Sequence, residues 1–221
     1  MTPTLLLALV LAGGAAAQGG PAADADDAAV PGFPPLGRWM LDATGAPAHW
    51  LGEKVDGKRL REPINLVVID PSAATAEDAR TRLVAAAAAA GYPVRVGHSS
   101  GYRARIGGAP FPQLPSGWDD AFSNRMFEFT NNHGRLFGPY RHEGGYLFVG
   151  AFSRERVAVL AWPEHRYGSF VEARDHFAAS LVARAGFERT GTVDLGNAIR
   201  DDPAVTTGDH DGRAVVLRAT R

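Results

Sequence analysis

Residues 64–69 read INLVVI and are followed, past the break at Asp70-Pro71, by TAEDARTRLVAAAAAAGY over residues 75–92. β-Branched residues dominate the first segment, the signature of a buried strand. In the second, Thr75 and Asp78 have the spacing of an N-terminal cap, and Gly91 with Pro93 ends the run, so a helix is predicted. The order recurs further on, as RVAVLAW at 156–162 and SFVEARDHFAASLVARAGF at 169–187. Ala79-Arg80 and Ala173-Arg174 stand at the same distance from the two caps. The pattern admits a degenerate β-α-β duplication or a convergent use of the same cap and stop chemistry.

Around these units the β-branched and aromatic runs predict strands at Pro93–Val96, Met126–Thr130, Arg135–Phe137, Tyr146–Phe152, Val157–Trp162, Phe187–Val193 and Ala214–Arg218. Gly144-Gly145 and Asp211-Gly212 are hairpin turns. Two helices among hairpin-linked strands predict an α+β domain: a mixed, largely antiparallel sheet with two main helices packed on one face. On the second helix Phe170, Phe177, Ala178, Leu181 and Ala185 share a side, and Glu172, Asp175 and His176 share the other. Glu172 and His176 read as a solvated i, i+4 pair. Arg174 projects from the apolar side, so it must snorkel, pair with a carboxylate or reach a polar site.

The flanks divide the rest of the chain. Residues 5–12, LLLALVLA, run into GGAAAQ and have the length of a signal-peptide core, giving a signal peptide at 1–18 cleaved near Ala17 or Gln18. A bilayer span needs about 20 apolar residues, so no stable membrane span is expected after cleavage, and the protein is expected to be secreted or periplasmic. Residues 19–36 are Gly-, Pro-, Ala- and Asp-rich and read as a disordered linker. Residues 37–62 read as an irregular arm packed on a domain at 63–221.

The 221 residues carry 23 Lys and Arg against 24 Asp and Glu, a net charge of -1, so no broad field favours nucleic acid. With no Cys, disulfides, thiolate metal sites and a cysteine nucleophile are excluded. There is no Walker loop, no H-E-x-x-H and no G-x-G-x-x-G after a strand, and no His/Asp spacing is diagnostic of a metal. No cofactor and no metal ligand are assigned. Gly97-His98-Ser99-Ser100-Gly101 fits G-x-S-x-G, but GYRARIGGAPFP after it cannot supply the helix of a nucleophile elbow and reads as a loop. Asp209 and His210 follow in a workable order for a triad, yet Asp209–Gly212 lacks the later acid of a calcium loop and reads as a turn.

The chemistry concentrates between Asn131 and Glu172. In NNHGRLFGPY, His133 and Arg135 are two apart and project from one strand face, with Leu136 on the other. The hairpin returns through GGYLFVGAFSRE, placing Ser153, Arg154 and Glu155 after the apolar run, and WPEHRYG adds His165 and Arg166. Two His and three Arg on adjacent strands can converge on a phosphate-like group, because guanidinium forks match its geometry. The competing arrangement is an ion-pair lattice with Glu128, Glu155 and Glu164 on a solvated sheet face.

These residues resemble the LssY C-terminal domain family, a poorly characterised domain also found attached to membrane proteins of the phosphatidic acid phosphatase type. The matching blocks are PINL at Pro63–Leu66, NHGRL at Asn132–Leu136, FVGAFSRE at Phe148–Glu155, HRY from His165 and VEAR at Val171–Arg174. Where the family usually has Asp-Pro-Asp before the second helix, this chain has YGSF at Tyr167–Phe170. The resemblance implies a stand-alone exported form of the domain.

Three functions are carried forward. The first is binding of a small anionic ligand, a phosphate ester or lipid headgroup, by Arg135, Ser153, Arg154, Glu155, Arg166 and Arg174. If the domain is a phosphoester hydrolase, His133 and His165 are its acid or base. The second is a non-catalytic interaction domain contacting an envelope protein through the Pro-rich loop Ala109–Asp120. The third is a serine hydrolase using Ser99.

Overall fold

The computed structural model of the chain describes residues 26–157 and 165–220. Its N-terminal part holds Asp27–Ala28 (β1), Leu36–Gly37 (β2), and the hairpin His49–Val55 (β3) and Lys58–Arg61 (β4). Leu66–Asp70 (β5) leads to the helix Ala76–Ala89 (α1), followed by Val94–Val96 (β6), Arg103–Ile106 (β7), Ala109–Leu114 (β8) and Asp120–Ser123 (β9). The longest strands come next, Asn131–His142 (β10) and Gly145–Val157 (β11). His165–Ser169 (β12) opens directly into Phe170–Arg184 (α2), and Phe187–Asp194 (β13), Val205–Thr206 (β14) and Arg213–Ala219 (β15) complete the chain.

The main sheet runs β1-β2-β7-β8-β10-β11-β5-β15-β13, with β12 on β11 and β9 joining β10 to β6. Every pairing in it is antiparallel except β15 with β5. The α+β architecture read from the sequence is therefore present, with both helices on one face. Leu66, Val68, Phe148, Phe152, Val215 and Leu217 turn toward α1 and α2, meeting Leu83, Ala87, Phe177 and Leu181. Their neighbours of opposite parity, Val67, Ile69, Leu147, Val149, Ala214 and Val216, pack under Leu36, Met40, Ala48 and Ile106. Both faces are thus buried, which is why LVVI at 66–69 is apolar throughout instead of alternating, while the buried Asn65 before it is satisfied by the Phe152 backbone.

The helix caps stand where the spacing puts them. Thr75 Oγ1 accepts from Asp78 N at 3.1 Å, and Ser169 Oγ accepts from Glu172 N at 2.8 Å. The charged side of α2 is used differently from the sequence reading. Glu172 pairs with Arg154 across to β11, and His176 Nδ1 bonds the Tyr92 hydroxyl at 2.7 Å, so the two do not form an i, i+4 pair.

Several boundaries are corrected. The last part of the expected linker 19–36 is built into the sheet, since β1 pairs with β2 and the buried Asp27 carboxylate lies 3.1 Å from Arg105 Nε. The arm 37–62 is partly regular. Its β3–β4 hairpin was hidden because Leu51 (φ 39°) and Gly52 (φ 69°) break the alternation within β3. Met126–Thr130 is not a strand; the strand starts at Asn131, where side chains first find partners across the hairpin. GYRARIGGAPFP is the β7–β8 hairpin, so the Pro-rich loop shrinks to residues 115–119. Pro110 and Pro112 are tolerated because β8 meets β10 only at Gln113 and Leu114. Most of the predicted strand Val157–Trp162, and with it the strand half of the second repeat unit, lies outside the described residues.

Candidate functional site

The site grows out of the spine of the sheet. Along β11 the odd positions Leu147, Val149 and Ala151 lie in the apolar layer away from the helices, and the same row continues as Ser153 and Glu155. On β10 the row is Phe137, Arg135, His133 and Asn131, with His133 opposite Ser153 and Asn131 opposite Glu155. An apolar stripe therefore becomes polar while remaining buried. At this end β11 leaves β5 for β12, and β10 takes β9 as its second neighbour. The opened layer is closed by Trp50 from β3, Glu62 after β4, and the loop Gly97–Ser99. Gly97 (φ 96°) is required there, since a Cβ would stand 2.4 Å from the Phe127 ring.

The hydrogen bonds fix their own direction. Asn131 Nδ2 donates to the Phe129 carbonyl at 2.9 Å and to Glu155 Oε2 at 3.0 Å, both pure acceptors, which orients the amide. Its Oδ1 therefore faces His133 Nδ1 at 2.9 Å, so the imidazole carries its proton on Nδ1 and a lone pair on Nε2. Trp50 Nε1 donates to Ser153 Oγ at 3.1 Å, leaving the serine proton for His133 Nε2 at 3.4 Å. Trp50, Ser153, His133, Asn131 and Glu155 thus form one chain with every donor pointing toward the carboxylate. On its other oxygen, Oε1, Glu155 lies 2.8 Å from His165 Nδ1.

His98 lies over this chain, its ring stacked on His133 with centroids 4.5 Å apart, and its buried Nε2 has no hydrogen-bond partner. Burial lowers the pKa of His98 to about 4, with Arg135 and His165 adding to the effect, and burial holds His133 well below its ordinary value. Both imidazoles are neutral at pH 7. Glu62 is raised to about 7 by burial, against the pull of Arg135. Arg135 is itself buried, its guanidinium 4.7 Å from the Tyr102 ring centroid and bonded to the Ser99 carbonyl, while its Nε has no partner. The pocket these groups line holds about 40 Å³, where one water needs roughly 10–15 Å³. That is the room of one tetrahedral oxyanion or of an ion with a water or two.

Of the residues singled out by sequence, His133, Arg135, Ser153, Glu155 and His165 come together. The three remaining arginines do not. Arg154 has even parity and turns to the helix side, pairing with Glu172 and Asn132. Arg166 is exposed and neighbours His165 on β12, so it projects from the opposite face. Arg174 is buried under α2, bonded to Asp211, Asp175 and the Arg213 carbonyl, which settles its place on the apolar side by pairing. The solvated lattice with Glu128 and Glu155 does not form at Glu155, which is buried in the pocket; Glu164 lies outside the described residues.

The elbow reading of Ser99 lacks its helix, and the Ser99 hydroxyl bonds Tyr102 at 2.8 Å. Asp209 bonds Ser169, Tyr167 and the Phe170 amide at the start of α2, and His210 Nε2 bonds Asn197 at 2.7 Å. Four site residues were missed: Trp50, Glu62, His98 and Asn131. Asn131 was legible, being two residues before His133 on one strand; the others arrive from separate elements. His98, His133 and Glu155 each bring one ligand atom into a group whose members lie within 4.8 Å of one another.

No protein-family model matches the chain, no curated protein matches it, and no solved structure matches it.

Proposed function

We propose that this is an exported domain that binds a small anionic group, a phosphate ester in the first instance, in the pocket between Arg135, His98 and Ser99. The observation that carries the reading is the Arg135 guanidinium, buried at the pocket wall with an unpartnered Nε–H. A buried donor without an acceptor costs about 1–3 kcal/mol, which an oxyanion would recover. The small volume admits the phosphoryl end of an ester and leaves the organic part outside, past the exposed Leu51. The block resemblance to the LssY C-terminal domain family and the expected signal peptide at 1–18 belong to the same reading.

Turnover in this pocket is phosphoester hydrolysis. Water attacks phosphorus, its proton passes to the carboxylate of Glu62 on the pocket wall, whose pKa is raised to about 7, the ester P–O bond breaks, and the proton leaves with the alcohol. Arg135 stabilises the charge on the equatorial oxygens. His133, whose Nε2 faces Ser153, orients the site. The test is a thermal-shift titration with inorganic phosphate and simple phosphate esters, since a ligand of the folded state raises Tm. A shift lost in Arg135→Ala and kept in Arg154→Ala supports the reading; no shift with any phosphate overturns it.

A second reading rests on Trp118, which is 86% exposed beside Gly117 in the shortened Pro-rich loop. Exposed Trp is a common anchor of protein contacts, and this face would suit an envelope protein. Retrieval of a partner lost in Trp118→Ala and kept in Arg135→Ala favours this reading over the first.

A further inference from the structure

The anion pocket has a charge deficit. Glu155 and Glu62 lie on it with Arg135 as its single buried guanidinium, because Arg154, Arg166 and Arg174 turn elsewhere. A phosphoryl group entering beside a buried carboxylate meets repulsion that one guanidinium does not offset. The same pocket holds a donor set suited to a cation. His98 Nε2 is buried and unpartnered, the Asn131 bond leaves the His133 Nε2 lone pair to a long contact from the Ser153 hydroxyl at 3.4 Å that a cation would displace, and one ligand atom of each of His98, His133 and Glu155 lies within 4.8 Å of the others.

We infer that His98, His133 and Glu155 form a binding site for a first-row divalent cation of the zinc class. Two imidazoles and one carboxylate suit Zn²⁺ and its neighbours, whereas Ca²⁺ and Mg²⁺ ask for all-oxygen shells. Three protein ligands leave a position for water or for a phosphoryl oxygen beside Arg135. The groups behind the ligands have the arrangement metal sites need. Asn131 holds both His133 Nδ1–H and Glu155 Oε2, and His165 backs Oε1, so ring tautomer and carboxylate orientation are set before loading. Ligand atoms now up to 4.8 Å apart must close to roughly 3.3 Å for metal–ligand bonds of about 2.0–2.2 Å, so loading draws the two rings out of their stack. The inference rests on the anion reading for the purpose of the ion, and on side-chain geometry for its ligands.

The full chain, stripped with a chelator, is titrated with Co²⁺ as a visible reporter and with Zn²⁺ by competition. The expected result is one ion per chain with the d–d absorption of a four- or five-coordinate site. His98→Gln and Glu155→Gln each weaken it by on the order of 100-fold or more, and Asn131→Leu by about 10–100-fold, the range for groups that orient ligands. Circular dichroism and a cooperative melt show that each variant is folded; His98, on a loop, is the variant least coupled to the core. Absence of d–d bands in the parent, or equal affinity in folded His98→Gln and Glu155→Gln, overturns the site. Inorganic phosphate is then added to chelated and Zn²⁺-loaded protein. A larger Tm shift in the loaded form is expected, and equal shifts overturn the role given to the ion. Zn²⁺ binding with no phosphate response in either form overturns the anion reading and leaves the metal site standing.

Discussion

Asn131 and His133, two residues apart on β10, settle each other's chemistry: the amide, oriented by two acceptors, offers only its oxygen to His133 Nδ1, at 2.9 Å. The imidazole can then carry its proton on one nitrogen alone. Asn131→Leu removes the acceptor from His133 and a donor from Glu155. Each buried group left unsatisfied costs about 1–3 kcal/mol, so the variant is expected to lose several kcal/mol in urea denaturation. Histidine ¹⁵N shifts should report the change directly, with a single Nδ1–H tautomer at His133 in the parent and a mixture in the variant. A single tautomer in both would show that the amide does not set it.

Gly134 separates the two functional side chains of β10, and its place is dictated by the opposite face. A Cβ there would stand 2.3 Å from the Phe152 ring and 2.5 Å from the Ala151 carbonyl oxygen. Gly134→Ala is therefore an overpacking change, expected to cost about 1–3 kcal/mol. Because the closest clash is with the Phe152 ring, Phe152→Leu should recover part of the loss, and the part due to the Ala151 carbonyl should remain. A double-mutant cycle by urea denaturation checks this, and strict additivity of the two changes would rule out the contact as the cause.

These two positions also show what was legible in the sequence and what was not. Period-two spacing put His133 and Arg135 on one face, and the same spacing carries Asn131, Ser153 and Glu155 with them. It excludes Arg154 and Arg166, which the sequence reading groups with them: Arg154 sits between Ser153 and Glu155 and must turn away, and Arg166 follows His165 on β12. The helices and their caps were readable because capping chemistry is local. The β3–β4 hairpin was not, since Leu51 and Gly52 leave the strand alternation, and with it Trp50 was lost from the site. His98 and Glu62 reach the pocket through tertiary packing, for which no local spacing exists.

Arginine parity gives a prediction in which stability and binding separate. Arg174 is buried and bonded to Asp211 at 2.7 Å and to the Arg213 carbonyl at 3.0 Å, whereas Arg154 pairs with Glu172 on a partly exposed surface. Arg174→Met should lower stability by about 1.5–3 kcal/mol, the range for hydrogen bonds to charged groups. Arg154→Ala should cost about 0–1 kcal/mol. Neither should alter the phosphate-induced shift per mole of folded protein, which Arg135→Ala should abolish. A phosphate response that depends on Arg174 would return that residue to the ligand site.

His210 provides a pH dependence outside the pocket. Its ring is fully buried, with Nε2 bonded to Asn197, Nδ1 3.9 Å from Asp211, and Arg174, Asp209 and Arg200 as its other charged neighbours. Burial, the largest influence, lowers its pKa from 6.5 to about 4. The folded-state value lies below the unfolded one, so between them the unfolded chain binds the extra proton. Stability from this group is fully present above the unfolded value and is lost as pH falls through 6.5 toward 4. The displacement corresponds to about 3 kcal/mol, and His98, also lowered to about 4, acts in the same direction. Urea denaturation at about pH 7 and about pH 4 should therefore show a steep loss in the parent, reduced by about 3 kcal/mol in His210→Gln, which cannot take up the proton. An equal loss in parent and variant would mean that His210 titrates alike in the folded and unfolded chain, and that its buried Nδ1 reaches solvent in the folded state.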